Sequence, residues 1–192
     1  MKELIRKIIF TALSVFLIYQ TINTHLALLK VWSNDTGFSL ISEFFIAGFL
    51  ALCITGVFAF PGFCFPTHKL IWPKYFEVKN EKRLTKVYNA LGIKYFRKFL
   101  MLAYWGKEKN RNHFFNGTRN GFKNFDYQTK QAEFGHLLPF VLLCIDTIFL
   151  LALNLYVACV ILFTLNVIGN LYPVILQRKS RARLQRIYNR PK

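Results

Sequence analysis

From Leu137 to Leu176 the chain carries a single charge, Asp146. An apolar helix of about 20 residues crosses a bilayer once, so this run is long enough to cross twice. Chemistry gathers at its ends. Glu133 and His136 stand just before it, in QAEFGH, and NVIGNLYPVILQRKSRAR closes it. A tight hairpin of two membrane helices brings both ends to one surface, and that surface is the candidate functional region.

The chain has 192 residues, a net charge of +17 and 54% hydrophobic residues. A strongly charged chain that is also strongly apolar is neither disordered nor an ordinary soluble nucleic-acid binder. The charges sit in blocks between apolar runs. This pattern predicts an all-α integral membrane protein, a single multi-pass domain over residues 1–192. Its four transmembrane helices fall at about 8–29, 38–60, 134–153 and 155–176. An amphipathic helical cytoplasmic segment lies at about 61–133 and a basic tail at 177–192. The basic start and first apolar run have the outline of a signal peptide, but no small-residue cleavage site follows, which favours an uncleaved first helix. Lys2, Arg6 and Lys7, Lys69 and Lys74, Lys123 and Lys130, and the tail arginines all flank helix ends. The positive-inside rule then places both termini and the middle segment in the cytoplasm, with the protein in the cell membrane.

In the middle segment Pro61, Pro66 and Pro73 predict extended or turning chain. Asn80 can cap a helix, and Gly92 followed by Ile93 reads as a helix stop. Ile93, Phe96, Phe99 and Leu100 then form an apolar face opposite Lys94, Arg97 and Lys98. Such a helix suits an anionic lipid surface, or packs on the rest of the loop. Residues 107–130 read as a loop with short helical pieces. Its rings, among them His113, Phe114, Phe115, Phe122 and Phe125, alternate with basic residues. That alternation can stack bases, but beside four membrane spans no nucleic-acid partner is expected. Asn116-Gly117-Thr118 matches a glycosylation acceptor that this topology puts on the wrong side. Asn154 is the polar residue nearest the expected hairpin turn. Glu43 is expected at an interface or paired with a neighbour, and Asp146 either near the far interface or as a functional residue. Cys53, Cys64, Cys144 and Cys159 lack C-x-x-C spacing and read as packing residues.

Glu133 and His136 are spaced i, i+3 and share a helix face. A carboxylate beside an imidazole fixes its tautomer, and the pair can deprotonate a hydroxyl. Asn166, Asn170, Pro173 and Gln177 are spaced i, i+4, i+7, i+11, one stripe of an α-helix. Amides in a membrane helix need partners, so the stripe should face protein or a cavity. Asn170 and Gln177 can donate to an oxyanion. Arg178, Arg181 and Arg183 can hold the phosphates of a lipid headgroup or of a carrier such as coenzyme A. E-x-x-H is half a di-metal site, and no second such pair appears, so no metal is expected. Glu133 and His136 can instead tie the start of the third helix to the tail arginines.

The tract AEFGH, two apolar spans and N-x-Y-P-x-x-x-Q-R resemble the glycosyl-diaponeurosporenoate acyltransferases, small membrane proteins of staphyloxanthin-type carotenoid synthesis. Pro73-Lys74-Tyr75-Phe76, Glu81-Lys82 and Leu91-Gly92-Ile93 are similar to that family's middle segment, so the resemblance covers roughly residues 70–190. The family runs from Gln-Arg into Tyr-Asn-Arg-Pro-Arg. Here Gln177-Arg178 is followed by Lys179-Ser180-Arg181-Ala182-Arg183, and Tyr188-Asn189-Arg190-Pro191 comes later. The resemblance implies transfer of a fatty acyl group onto a sugar hydroxyl of a membrane glycolipid, a glycosylated carotenoid.

The expected activity is therefore acyl transfer to a lipid-linked hydroxyl, with His136 as base and Glu133 orienting it. Asn170, Gln177, Arg178, Arg181 and Arg183 would bind substrate. No permanently bound cofactor is expected, and acyl-CoA is the expected type of donor. Partners would be a membrane lipid or glycolipid substrate, an anionic lipid surface and enzymes of the same pathway. The alternatives are a non-catalytic membrane adaptor for anionic lipid or a partner enzyme, and a lipid hydrolase that uses the same pair with water.

Overall fold

A computed structural model describes residues 1–34, 37–105 and 119–188. All regular structure among them is helical: α1 (Lys2–Ser33), α2 (Leu40–Gly62), α3 (Glu81–Ala90), α4 (Ile93–Leu100), α5 (Arg119–Ala152), α6 (Tyr156–Asn166) and α7 (Tyr172–Tyr188). Short 3-10 turns, Thr67–Leu70 and Pro73–Phe76, join α2 to α3. Single π-helical turns follow α4 (Met101–Trp105) and join α6 to α7 (Val167–Leu171). Four stretches are long and apolar enough to cross a membrane: Lys2–Ser33, Leu40–Gly62, Gly121–Ala152 and Tyr156–Tyr188. These four stretches overlap the four expected spans, and all but the second are longer than the expected run.

Three expectations need correcting, the third at Pro61. Residues 119–133 are not a loop with helical pieces but the first part of α5. Phe122, Phe125 and Thr129 recur at i, i+3, i+7, while Lys130 Nζ reaches Asp126 at 2.6 Å one turn back. Interspersed Asn and Gly hid this pattern in the sequence. The basic tail is likewise helical, as α7 runs to Tyr188. His113 to Phe115, the Asn116-Gly117-Thr118 acceptor and Asn189 to Pro191 lie outside the described residues.

The chain forms two compact units. The first comprises Met1–Thr67 and Gly135–Leu171: α1, α2, the apolar part of α5, α6 and the π turn. Ala47, Leu50, Ile54, Leu143, Leu150 and Leu162 form its dry centre. α1 meets α2 at Gly56, where Leu17 sits directly over the glycine. Small residues let membrane helices approach this closely. Pro61 lies inside the last turn of α2 rather than in an extended exit. A proline gives no N–H to the carbonyl four residues back, here Val57, and that carbonyl instead accepts from Ser14 Oγ at 2.8 Å.

The hairpin between α5 and α6 closes as a Schellman motif. Asn154 has φ 61°, the Leu155 amide donates to Leu150 O at 3.0 Å, and the Asn154 amide to Leu151 O at 3.1 Å. Leu155 offers α6 no side-chain cap. Glu43 of α2 supplies one, its carboxylate accepting from the Ala158 amide at 2.9 Å. That satisfies an otherwise bare helix-end donor inside the apolar unit and places the carboxylate at the positive end of the helix dipole. Asp146 pairs with His25 Nε2 at 3.2 Å, tying α5 to α1. All four cysteines are free.

The second unit comprises His68–Phe134 and Tyr172–Lys192: both ends of the middle segment, the polar start of α5, and α7. Asn80 caps α3 by accepting from the Arg83 amide at 2.9 Å. Gly92 takes φ 63°, turning the chain between α3 and α4 as the sequence indicates. Ile93 is buried and Phe96 packs edge-on against Tyr172, ring centroids 5.5 Å apart. Part of the apolar face of α4 is thus covered by protein, while Tyr95 and Phe99 remain exposed.

Candidate active site

Polar side chains inside an apolar unit are costly unless paired. In the first unit, apart from the Ser14, Glu43 and His25–Asp146 pairings, four of them form one string. Asn166 is fully buried and donates from Nδ2 to Phe140 O at 2.9 Å, with Cys144 Sγ at 3.5 Å. Its Oδ1 accepts from Asn170 Nδ2 at 3.2 Å. Asn170 Nδ2 also reaches Thr55 Oγ1 of α2 at 3.3 Å. Asn170 Oδ1 faces His136 Nδ1 at 3.2 Å.

These bonds assign the imidazole tautomer. Both amide hydrogens of Asn170 point elsewhere, so its oxygen must be the acceptor and His136 Nδ1 the donor. In the neutral ring the lone pair then lies on Nε2. Pro173 has no N–H to return to the carbonyl of Gly169, one turn back. The π turn Val167–Leu171 lies just before this proline and carries Asn170.

The second unit holds charge instead. Glu133 is 0% exposed between two arginines: Arg178 Nε donates to Oε1 at 2.7 Å, and Arg181 donates to Oε2. Arg181 is 1% exposed, donates from Nε to Phe76 O at 2.7 Å and lies over the Phe76 ring at 5.1 Å. Arg178 covers the Tyr75 ring at 4.6 Å. Burial pushes the Tyr75 phenol above its usual range, and the Glu133 charge adds to that push. A carboxylate with two guanidinium partners satisfies its lone pairs in a dry site, the condition under which a buried ion pair is tolerated.

The expected constellation is therefore divided. Asn170, not Glu133, supplies the hydrogen-bond partner at His136 Nδ1. Glu133 instead ties the polar start of α5 to Arg178 and Arg181, the structural alternative the sequence also offered. Asn170 has no amide hydrogen left for an oxyanion. Gln177 lines a cavity in the second unit, together with Arg183. Thr55 was not anticipated, since nothing in the apolar run around it marks it out. Among the described residues no group of three or more His, Cys, Asp or Glu side chains stands ready for a metal ion.

The family model for glycosyl-4,4'-diaponeurosporenoate acyltransferase matches residues 72–190. The chain belongs to this family. No curated protein and no solved structure matches the chain. The stretch matched by the acyltransferase family contains His136, Asn166 and Asn170, the Glu133–Arg178–Arg181 cluster, and the whole lining of the cavity. Thr55 and Glu43, which complete the string and cap α6, lie outside it.

Proposed function

We propose that this protein is a membrane acyltransferase that moves a fatty acyl group from a carrier onto a hydroxyl of a membrane glycolipid. The family description points to a glycosylated carotenoid as acceptor. His136 is the general base and Asn170 the residue that positions it. The observation that carries this reading is the hydrogen bond from Nδ1 to Asn170, which leaves the Nε2 lone pair available. The hydroxyl proton passes to Nε2 as the oxygen attacks the acyl carbon. A new C–O bond forms, the bond from the acyl carbon to its carrier breaks, and the proton leaves on the carrier. The donor, such as acyl-CoA, is a co-substrate. Glu133, Arg178 and Arg181 form the frame of the second unit, while Gln177 and Arg183 face its cavity. Lysine and arginine near the helix ends support a cytoplasmic location for both termini.

The test compares lipid extracts, by mass spectrometry, from cells expressing the wild-type chain or His136→Ala at matched membrane levels. A lipid heavier by one fatty acyl chain should appear with the wild type, and turnover should fall about 100- to 10,000-fold in the variant. Unchanged turnover would remove His136 from the base role. Identical profiles in a host that supplies the natural substrates would favour the adaptor reading instead.

A further inference from the structure

The second unit holds a half-open cavity of about 300 Å³, at the lower end of the range for small-molecule sites, about 300–1,000 Å³. Phe122 and Phe125 of α5 and Leu176, Leu184 and Ile187 of α7 supply an apolar wall. Three cations join it, Arg97, Lys179 and Arg183, and no carboxylate lines it among the described residues. Lys179 already has Thr85 Oγ1 and, at 3.5 Å, Glu81. Arg97 and Arg183 are exposed and have no carboxylate or hydrogen-bond partner among the described residues. Water finds few polar partners against such a wall. The two guanidinium forks are suited to phosphate oxygens. One ligand answers both conditions.

We infer that this cavity takes a single fatty chain whose head bears phosphate. Two sources share that chemistry, a phosphate-bearing acyl thioester and a lysophospholipid. The binding stands on the cavity alone; its role as the donor site rests on the acyl-transfer reading.

The test uses the full chain in phosphatidylcholine nanodiscs, with hexadecyl phosphate carrying a diazirine in its chain. Photo-cross-links should map by mass spectrometry to residues 122–129 and 176–187. Arg97→Ala with Arg183→Ala should weaken binding at least tenfold, and the double lysine replacement should restore only part of it. Both positions are exposed, so folding should survive, which circular dichroism checks. Competition then separates the sources. Displacement by the hexadecyl thioether of coenzyme A supports the site and names the thioester. Displacement by lysophosphatidylglycerol supports it and names the lipid. Cross-links confined to residues 1–67 and 135–171 would overturn the inference, as would unchanged affinity in the double alanine variant or displacement by diacyl phosphatidylglycerol alone. If no acylated lipid is made yet the probe labels the cavity, acyl transfer falls and this site stands. If transfer holds and the labels lie elsewhere, only this site falls.

Discussion

Asn166 and Glu133 are both fully buried, yet they are held by different physics. Asn166 belongs to a neutral string of amides, a hydroxyl and an imidazole, in which both asparagines give and accept. Glu133 is a charge closed between two opposite charges. In a membrane helix, a bond like those of the string is worth about 0.6–2 kcal/mol, because the displaced group finds another partner. A buried ion has no such second choice. The comparison teaches that residues three apart on one helix need not act together: Glu133 belongs to the charged cluster and His136 to the neutral string.

Breaking the cluster should have the largest effect on stability. Glu133→Ala leaves Arg181 buried beside an empty place and should cost about 3–5 kcal/mol. Adding Arg181→Leu should return part of it, a non-additivity that thermal unfolding in detergent measures directly. Independent, additive losses would show that the two do not share an ion pair. In the string, Asn170→Leu should lower stability by only about 1 kcal/mol. Turnover should nevertheless fall tenfold or more, in kcat rather than KM, because His136 loses the acceptor that fixes its tautomer. A fall in stability and activity by equal amounts would reduce Asn170 to packing. The smallest effect is at Glu43. Its replacement by Ala should cost about 1 kcal/mol, the value of a helix cap. Glu43→Gln, which keeps an acceptor oxygen, should lose less in the same unfolding assay.

What could be read from the sequence followed from local rules. Asn80, Gly92 and Asn154 each mark a helix end by backbone chemistry that operates within a few residues, and each was found there. The start of α5 was missed because Asn and Gly diluted a real i, i+3, i+7 pattern. The stripe placed Gln177 by spacing along one helix, which does not show what the side chain lines in the second unit. Thr55 contributes one hydroxyl from a distant helix, and only packing brings it to Asn170. The partners of Glu133 and His136 are likewise decided by which side chains arrive from other helices, information that spacing along one helix does not contain.

The cap on α6 also has a history. Glu43 and Ala158 are separated by 115 positions along the chain. At about 5–20 residues per second, a ribosome needs roughly 6–23 seconds to travel from one to the other. Throughout that interval the carboxylate of a nascent α2 lacks the Ala158 amide, which has yet to be made. The last helix pair therefore enters a membrane in which its cap has been waiting, and the order of synthesis becomes part of how this fold is assembled.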